Sequence, residues 1–323
     1  DSFASKEAGF LLNNFLLLAV AVAVFWGTVF PIISELIQGS RIAVGPPFYS
    51  QVTVPLLLTL LALLGIGPLL AWRRTTLHAA WRSTRWPVTL ALVTSAVLIA
   101  LGMRVGLAVL GFSLAAMVIT GALLEFSRSL RTHARMANGI RAARIGVIGN
   151  RRRLGSHIVH LGVAIFAVGV IGSSSFSEET SVTLARGKSA VIDEYRLTYR
   201  GLSTRSEPGL TTIQADLDVD RGRNSSSRLT PSRRIHTGWE NQPTSDVAIH
   251  TTFPALDDIY ILIDDWEPDG SSASFRILVN PLVSLLWVGG MLYFIGVMVV
   301  AYPWNGTRRL PERTLPVPPS ALR

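Results

Sequence analysis

Six long apolar stretches constrain the fold of this chain more than any other feature of its sequence. Each is long enough to form a helix that crosses the hydrocarbon core of a bilayer, which is about 30 Å thick. Hydrophobic residues make up 49% of the 323 residues, a high fraction for a soluble domain. We therefore predict a polytopic α-helical membrane protein with six transmembrane helices, at residues 10–30, 52–71, 87–103, 105–126, 155–172 and 280–301.

The loops between these stretches are alternately poor and rich in basic residues. Residues 31–51 contain Arg41 as their single basic residue, whereas residues 127–154 contain eight arginines. Because short loops rich in arginine stay in the cytoplasm, this alternation places both termini in the cytoplasm and residues 173–279 on the outer side of the membrane.

The net charge of +9 is unevenly distributed. Residues 173–279 carry eleven basic and sixteen acidic side chains, so the excess of arginine lies on the predicted cytoplasmic loops, where the anionic lipid of the bilayer attracts it. We expect no nucleic-acid partner. The chain has no cysteine, which excludes disulfides, thiolate metal sites and a cysteine nucleophile.

Residues 173–279 have the two-residue alternation of β-strands. The stretch SVTLARGKSAVIDEYRLTYRGL predicts a hairpin that turns at Arg186-Gly187-Lys188, and further strands are expected in TTIQADLDVDRG and DDIYILIDDW. SFRILVN then leads into the last apolar stretch. We predict an extracytoplasmic antiparallel β domain, a sandwich or a barrel, inserted between helices five and six.

The paired acids of this segment are Glu178-Glu179, Asp257-Asp258 and Asp264-Asp265. Pairs of carboxylates occur in glycosidases and calcium sites. Because neighbouring residues of a strand point to opposite faces, we expect these acids to be solvated on an exposed sheet instead. The predicted division is a membrane domain with helices one to five at 1–172, a β domain at 173–279, helix six at 280–302 and a cytoplasmic tail at 303–323.

The loop before the second helix, IAVGPPFYSQ, combines a restricted backbone with aromatic rings. Gly45 permits a close backbone approach, and Pro46-Pro47 is expected to fix an extended stretch. Phe48 and Tyr49 follow at the membrane interface. They are either part of an interfacial aromatic belt or a rigid platform for a planar ligand or a partner.

Two histidines enter the fifth apolar stretch, in RRRLGSHIVHLG. With 1.5 Å of rise per residue, His160 lies about 9 Å beyond the start of the helix near Leu154, and His157 lies at the headgroup boundary on nearly the same face. His157 is interpreted as an interfacial residue. His160 is either a hydrogen-bonded core histidine or an axial ligand of haem iron, and a second ligand would have to come from another helix.

An ordered set of segments resembles the C-terminal half of the CcmF family, the haem lyase component of cytochrome c maturation. The segments include WGTVFPIISE, VGPPFYSQVTVPLLLTLLALLGIGPLLAWRR, RRRLGSHIVHLGVAIFAVGVIGSSSFSEE and NPLVSLLWVGGMLYFIG, and with the others they extend over roughly residues 3–302. The resemblance implies that His160 is one axial ligand of a membrane-embedded b-type haem, and so a metal ligand. It assigns no such role to His157, which stays a second-shell candidate beside the haem.

The resemblance also implies a function in the bacterial inner membrane. The complete protein would receive haem from a carrier protein and help to attach it to the two thiols of a CxxCH motif in apocytochrome c, while the b-type haem relays electrons. Gly45, Pro46, Pro47, Phe48 and Tyr49 would belong to the substrate or partner surface, and other maturation subunits would be further partners. The alternative is a non-catalytic membrane scaffold or transporter subunit with a sensory β domain.

The family's tryptophan-rich haem-handling segment, its outward-facing histidines and the second ligand of the b-type haem are expected upstream of residue 1. The chain begins with Asp1, and its first residues lack the basic region and cleavage site of a signal peptide. We therefore expect a fragment, an engineered truncation or one product of a split gene. A separate polypeptide carrying the N-terminal half would then complete the haem site.

Overall fold

The computed structural model describes residues 6–67, 77–136, 151–221, 226–238, 243–252 and 257–302. Helices come first in the chain, then strands, then a last helix. The helices within these residues are α1 (Lys6–Gln38), α2 (Pro46–Ile66), α3 (Leu77–Ala100), α4 (Gly106–Met136), α5 (Arg151–Phe176) and α6 (Ser284–Ala301). The predicted tail at 303–323 lies outside the described residues.

The strands lie between α5 and α6, as predicted. They are β1 (Glu178–Ala185), β2 (Ser189–Ile192), β3 (Tyr195–Glu207), β4 (Leu210–Arg221), β5 (Ser226–Leu229), β6 (Ser232–His236), β7 (Thr244–Asp246), β8 (Ala248–Thr252), β9 (Asp257–Trp266) and β10 (Ser272–Asn280).

Five of the helices, α1, α2, α4, α5 and α6, are long and apolar enough to cross a membrane. The apolar part of α3 is shorter and covers Thr84–Ala100. The helices α3 and α4 form a helical hairpin, in which Gly102 turns the chain with a φ of 92°. The structure therefore supports five spans by length and composition, and the sixth stays a prediction.

The chain between the first two spans is more helical than its sequence predicted. The first helix continues through Pro31 to Gln38, well past the expected end at residue 30. Pro46 and Pro47 occupy the first positions of α2, so the extended stretch predicted for them is wrong. Proline suits the first turn of a helix, because the amide hydrogens of that turn have no partner in the helix and the fixed φ of proline is already helical.

The β domain is a two-sheet sandwich. One sheet has the strand order β1-β10-β9-β8, and the other has the order β2-β3-β4-β6-β7 with β5 also paired to β4. Alternate side chains of the long strands point into the space between the sheets. The most completely buried of them are Tyr195, Leu197, Tyr199, Leu217, Ile259, Ile261, Ile263, Phe275 and Ile277.

The predicted hairpin at Arg186-Gly187-Lys188 is wrong. β1 pairs with β10, and β2 pairs with β3. The turn at 186–188 carries the chain from one sheet to the other, and the amide of Gly187 donates to the carbonyl of Tyr199. The β2–β3 hairpin turns instead at Asp193-Glu194, where Asp193 adopts a φ of 52°.

The paired acids do not share one environment. Glu178, Glu179 and Asp265 are exposed, as expected for an outer sheet face. Asp257 and Asp258 are 6% and 4% exposed, so the prediction of solvated acids is wrong for this pair. Asp257 faces Tyr195 and Arg221 of the other sheet, whereas Asp258 lies near Ser284 at the start of α6.

The helical pair α5–α6 continues directly into the strand pair β1–β10. Ser177 alone separates α5 from β1, and three residues separate β10 from α6. The ladder between β1 and β10 begins at Glu178 opposite Val279. Two antiparallel segments therefore run from the helical part of the protein into the sandwich without a flexible linker.

Glycine residues allow α5 and α6 to touch through their backbones. Gly155, Gly162 and Gly169 recur every seven residues on α5, opposite Gly289 and Gly296 on α6. A β-carbon on Gly155 would lie 2.9 Å from the carbonyl oxygen of Gly296. This backbone contact holds α6 against the helix that carries both histidines.

Candidate functional site

A small pocket lies among α2, α4 and α5, and both histidines line it. Most of the other walls are small or aliphatic. The lining residues are Leu64 and Gly65 of α2, Val118, Gly121, Ala122 and Glu125 of α4, and His157 and His160 of α5. The three helices pack beside it through Leu61, Ala115, Val118 and Ala164.

Small side chains create the space in front of the imidazoles. Ala122 is buried, and Gly65 approaches α4 so closely that a β-carbon on it would collide with the side chain of Met117. Larger residues at these positions would fill the cavity, because the helices already touch around it. The sequence locally favours this arrangement, since glycine and alanine recur at helical spacing on α4 and α5.

The two imidazoles differ from each other in burial. His157, predicted to lie at the membrane interface, is 8% exposed, and its Nε2 atom is buried without a hydrogen-bond partner among the described residues. His160 is half-buried. No hydrogen bond or ion pair of His160 occurs within the described parts of the chain, so its ring nitrogens are not committed to a protein group there.

Glu125 also lines the cavity, and it was not among the site residues predicted from the sequence. Its Oε1 atom accepts from Arg128 at 2.8 Å, and its Oε2 atom accepts from Arg153 at 2.8 Å. Arg153 belongs to the triplet that opens α5, so this ion pair connects the end of α4 with the start of α5. The signal in the sequence is the single acid at the end of an apolar stretch before an arginine-rich segment.

The predicted platform at 45–49 lies far from the histidines. It starts α2, whereas Gly65 at the cavity stands near the end of that helix, about 25 Å along the axis. The Tyr49 ring packs on α1, where a β-carbon on Gly27 would lie 2.8 Å from it. Phe48 and Tyr49 contact each other edge to face, with ring centroids 5.5 Å apart.

Of the residues that line the cavity, His160 is suited to bind haem iron from one side. A neutral imidazole in an apolar pocket is a common axial ligand of haem iron, and His160 is uncommitted. The pocket is too small to enclose a whole haem. The described residues also contain no group of three or more His, Asp or Glu that would hold a metal ion by themselves. By themselves, these residues could therefore contribute at most one side of a haem site.

Comparison with known proteins gives matches in both the β-sandwich and the helical part of the chain. The sequence profile of the CcmF C-terminal beta-sandwich matches residues 175–281, which include all ten strands. Cytochrome c-type biogenesis protein CcmF of Pseudomonas aeruginosa is 29% identical over 300 residues, which are 90% of this chain and 43% of that protein. Cytochrome c-type biogenesis protein CycK of Bradyrhizobium diazoefficiens is 30% identical over 295 residues, with 90% and 44% covered.

A solved structure, Cytochrome c Heme Lyase CcmF, superimposes with a TM-score of 0.71 at 26% identity and covers 94% of this chain and 46% of the other. The sequence and the fold of this chain both match the CcmF family. The predicted resemblance is confirmed, and the match to CcmF includes the helices as well as the sandwich. The chain spans between 43% and 46% of the length of the curated relatives it matches.

Proposed function

We propose that this chain is a membrane subunit of the cytochrome c maturation haem lyase. Its relatives are named cytochrome c-type biogenesis proteins, and the matching solved structure is named a haem lyase. The observation that carries the proposal is the uncommitted imidazole of His160 beside an apolar cavity, in a chain that matches this family.

In this proposal His160 is an axial ligand of a b-type haem. Its ring nitrogen would hold the iron, Gly65 and Ala122 would leave room beside it, and the aliphatic walls would exclude water. When bound, such a haem would supply one-electron transfer that keeps the iron of incoming haem ferrous. The second axial ligand would come from the half of CcmF proteins that this sequence does not cover, on the same or on another polypeptide. His157 is a neighbour of the haem and not a ligand.

The covalent product of the complete system is a pair of thioethers. Each forms when a cysteine S–H of the apocytochrome CxxCH motif adds across a vinyl group of haem, so no atom leaves and no net oxidation occurs. A haem carrier protein delivers the haem, and other maturation subunits share the membrane. Because this chain has no cysteine, a separate thiol reductant keeps the apocytochrome thiols reduced.

The proposed topology follows from the distribution of arginine. The chain spans the bacterial inner membrane six times, with both termini in the cytoplasm and the β-sandwich in the periplasm. The His160 cavity then lies on the cytoplasmic side, and Gly45–Tyr49 lies on the periplasmic side, where it faces haem and the partners that carry it.

The test is a reduced-minus-oxidised spectrum of the purified membrane protein, co-expressed with the polypeptide that carries the other half. We expect a b-type haem signal that is lost in His160→Ala and kept in His157→Ala. Loss in both variants would contradict the distinction between the two histidines. No haem in the unmodified complex would overturn the proposal in favour of a scaffold or transporter subunit with a sensory β domain.

A further inference from the structure

The sandwich meets α6 at a buried carboxyl group, that of Asp258. In the ladder between β9 and β10, Asp258 lies opposite Asn280, the last residue of β10. Four residues later the chain enters α6 at Ser284. Asn280 in turn accepts a hydrogen bond of 2.7 Å from Ser177, the single residue between α5 and β1. Asp258 therefore lies where both membrane-directed segments leave the sandwich.

The neighbouring acid, Asp257, pairs with the nearest cation, Arg221. Arg221 donates to Asp257 Oδ1 at 2.6 Å through Nη1, and the Tyr195 hydroxyl donates to Asp257 Oδ2 at 3.1 Å. The Nε and Nη2 atoms of Arg221 both donate to Glu194. Two carboxylates thus already share this guanidinium, and no ion pair of Asp258 is found in the described part of the chain.

The polar surroundings of Asp258 are incomplete. Its Oδ1 atom and the Ser284 hydroxyl are both buried, and neither has a regular hydrogen-bond partner among the residues described. The groups that act on the carboxyl are Thr251 and His250 from β8, Ser284 from α6, and Asp257 from β9 itself. Tyr260, two residues along β9, is also affected by its charge.

Burial and the charge of Asp257 favour the neutral form of Asp258. Burial raises the pKa of Asp258 above its ordinary value, and the charge of Asp257 raises it further, while the Thr251 and Ser284 hydroxyls and His250 oppose the shift without cancelling it. The physical reason is that a carboxylate out of water is costly unless a cation or several donors surround it. A protonated carboxyl also has the O–H donor that the unpartnered Ser284 oxygen can accept.

We propose that Asp258 is a proton-binding site that fastens the β-sandwich to the start of α6. With the proton bound, the neutral carboxyl stays buried and bridges to Ser284. When the proton leaves, the carboxylate requires water, which enters between β9, β10 and the first turn of α6 and loosens the junction. The ligand of this site is the proton of the compartment that the sandwich faces, and the site acts independently of the proposed haem at His160.

The test uses the full chain in lipid nanodiscs. Infrared spectra recorded between pH 4 and pH 9 report protonated carboxyl groups, and hydrogen exchange reports opening at residues 257–260 and 282–286. We expect a carboxyl band that persists at pH values at which exposed aspartates are already ionised, and that is absent in Asp258→Asn. After correction for the intrinsic exchange rate, the equilibrium constant for opening of the junction should rise about tenfold for each pH unit between the ordinary and the raised pKa of the carboxyl. This slope is expected because each opening releases one proton.

Asp265→Asn is the matched control, because Asp265 is an exposed acid on the same strand. It should keep both the band and the pH dependence of exchange. Ser284→Ala is the second variant should Asp258→Asn fail to fold, and it should move the pH at which the band disappears. The proposal is overturned if the band persists in Asp258→Asn, if Asp258 ionises at the ordinary pH of an exposed acid, or if Ser284→Ala leaves both readouts unchanged.

Discussion

Gly162 and Gly289 lie directly against each other where α5 crosses α6. A β-carbon on Gly162 would stand 2.8 Å from the carbonyl oxygen of Gly289, and one on Gly289 would stand 2.7 Å from the carbonyl oxygen of Gly162. Both distances are too short for a real side chain, and both neighbours are backbone atoms that cannot rotate away. The two helices can pack at this distance only with glycine on both sides.

We expect Gly162→Ala to force α5 and α6 apart and to lower the free energy of unfolding by about 1–3 kcal/mol, the usual range for overpacking. Denaturant unfolding in detergent micelles measures this. Gly290→Ala is the matched control, because a β-carbon there has no atom within 4 Å. Equal stability of the two variants would mean that the helices separate at little cost.

Asp257→Asn is expected to destabilise the sandwich by about 1–3 kcal/mol, because a neutral amide replaces the buried carboxylate that accepts from Arg221 and Tyr195, while Arg221 keeps its pair with Glu194. Asp218→Asn provides the comparison, since Asp218 pairs with the exposed Arg200 and Arg228 on the outer sheet face. That change should cost about 1 kcal/mol or less. Unfolding followed by tyrosine fluorescence would separate the two, and similar losses would contradict the difference in burial.

The pH dependence of stability should change in Asp258→Asn. Since the pKa of Asp258 is raised in the folded protein, its contribution is fully present below the ordinary pKa of an aspartate, near 3.9, and is lost as the pH rises through the folded value. We expect the Asn variant to unfold at higher denaturant concentration than the unmodified protein at pH 7.5, and at a similar concentration at pH 4. If the Asn variant were less stable than the unmodified protein at pH 7.5, this would contradict a raised pKa of Asp258 in the folded protein.

Filling the cavity should remove the proposed haem without unfolding the protein. Ala122 is buried and lines the cavity, so Ala122→Phe would place a ring where the edge of a haem is expected. Leu123→Phe is the control on the same helix, since Leu123 is 51% exposed. With the other half co-expressed, we expect the b-type haem absorbance to disappear in the first variant alone. Retention of this absorbance in both variants would mean that the haem binds elsewhere.

The sequence by itself determined the kinds of element and their order. Apolar runs of the right length produce helices in a bilayer wherever they occur, and two-residue alternation produces strands whatever they pair with. The family resemblance was also readable, because ordered segments such as RRRLGSHIVHLG keep their spacing. Each of these inferences depends on local chemistry, which a single sequence contains.

Only the tertiary structure decided which distant segments meet. β1 pairs with β10, whose partner residues lie almost a hundred positions away, and not with the neighbouring β2. Asp257 is buried against Tyr195 and Arg221 of the facing sheet, and Asp258 is buried beside β8 and the start of α6, although the local alternation allowed an exposed face. Glu125 lines the same pocket as the histidines because α4 packs against α5. Burial and pairing arise between elements, so no pattern within one segment contains them.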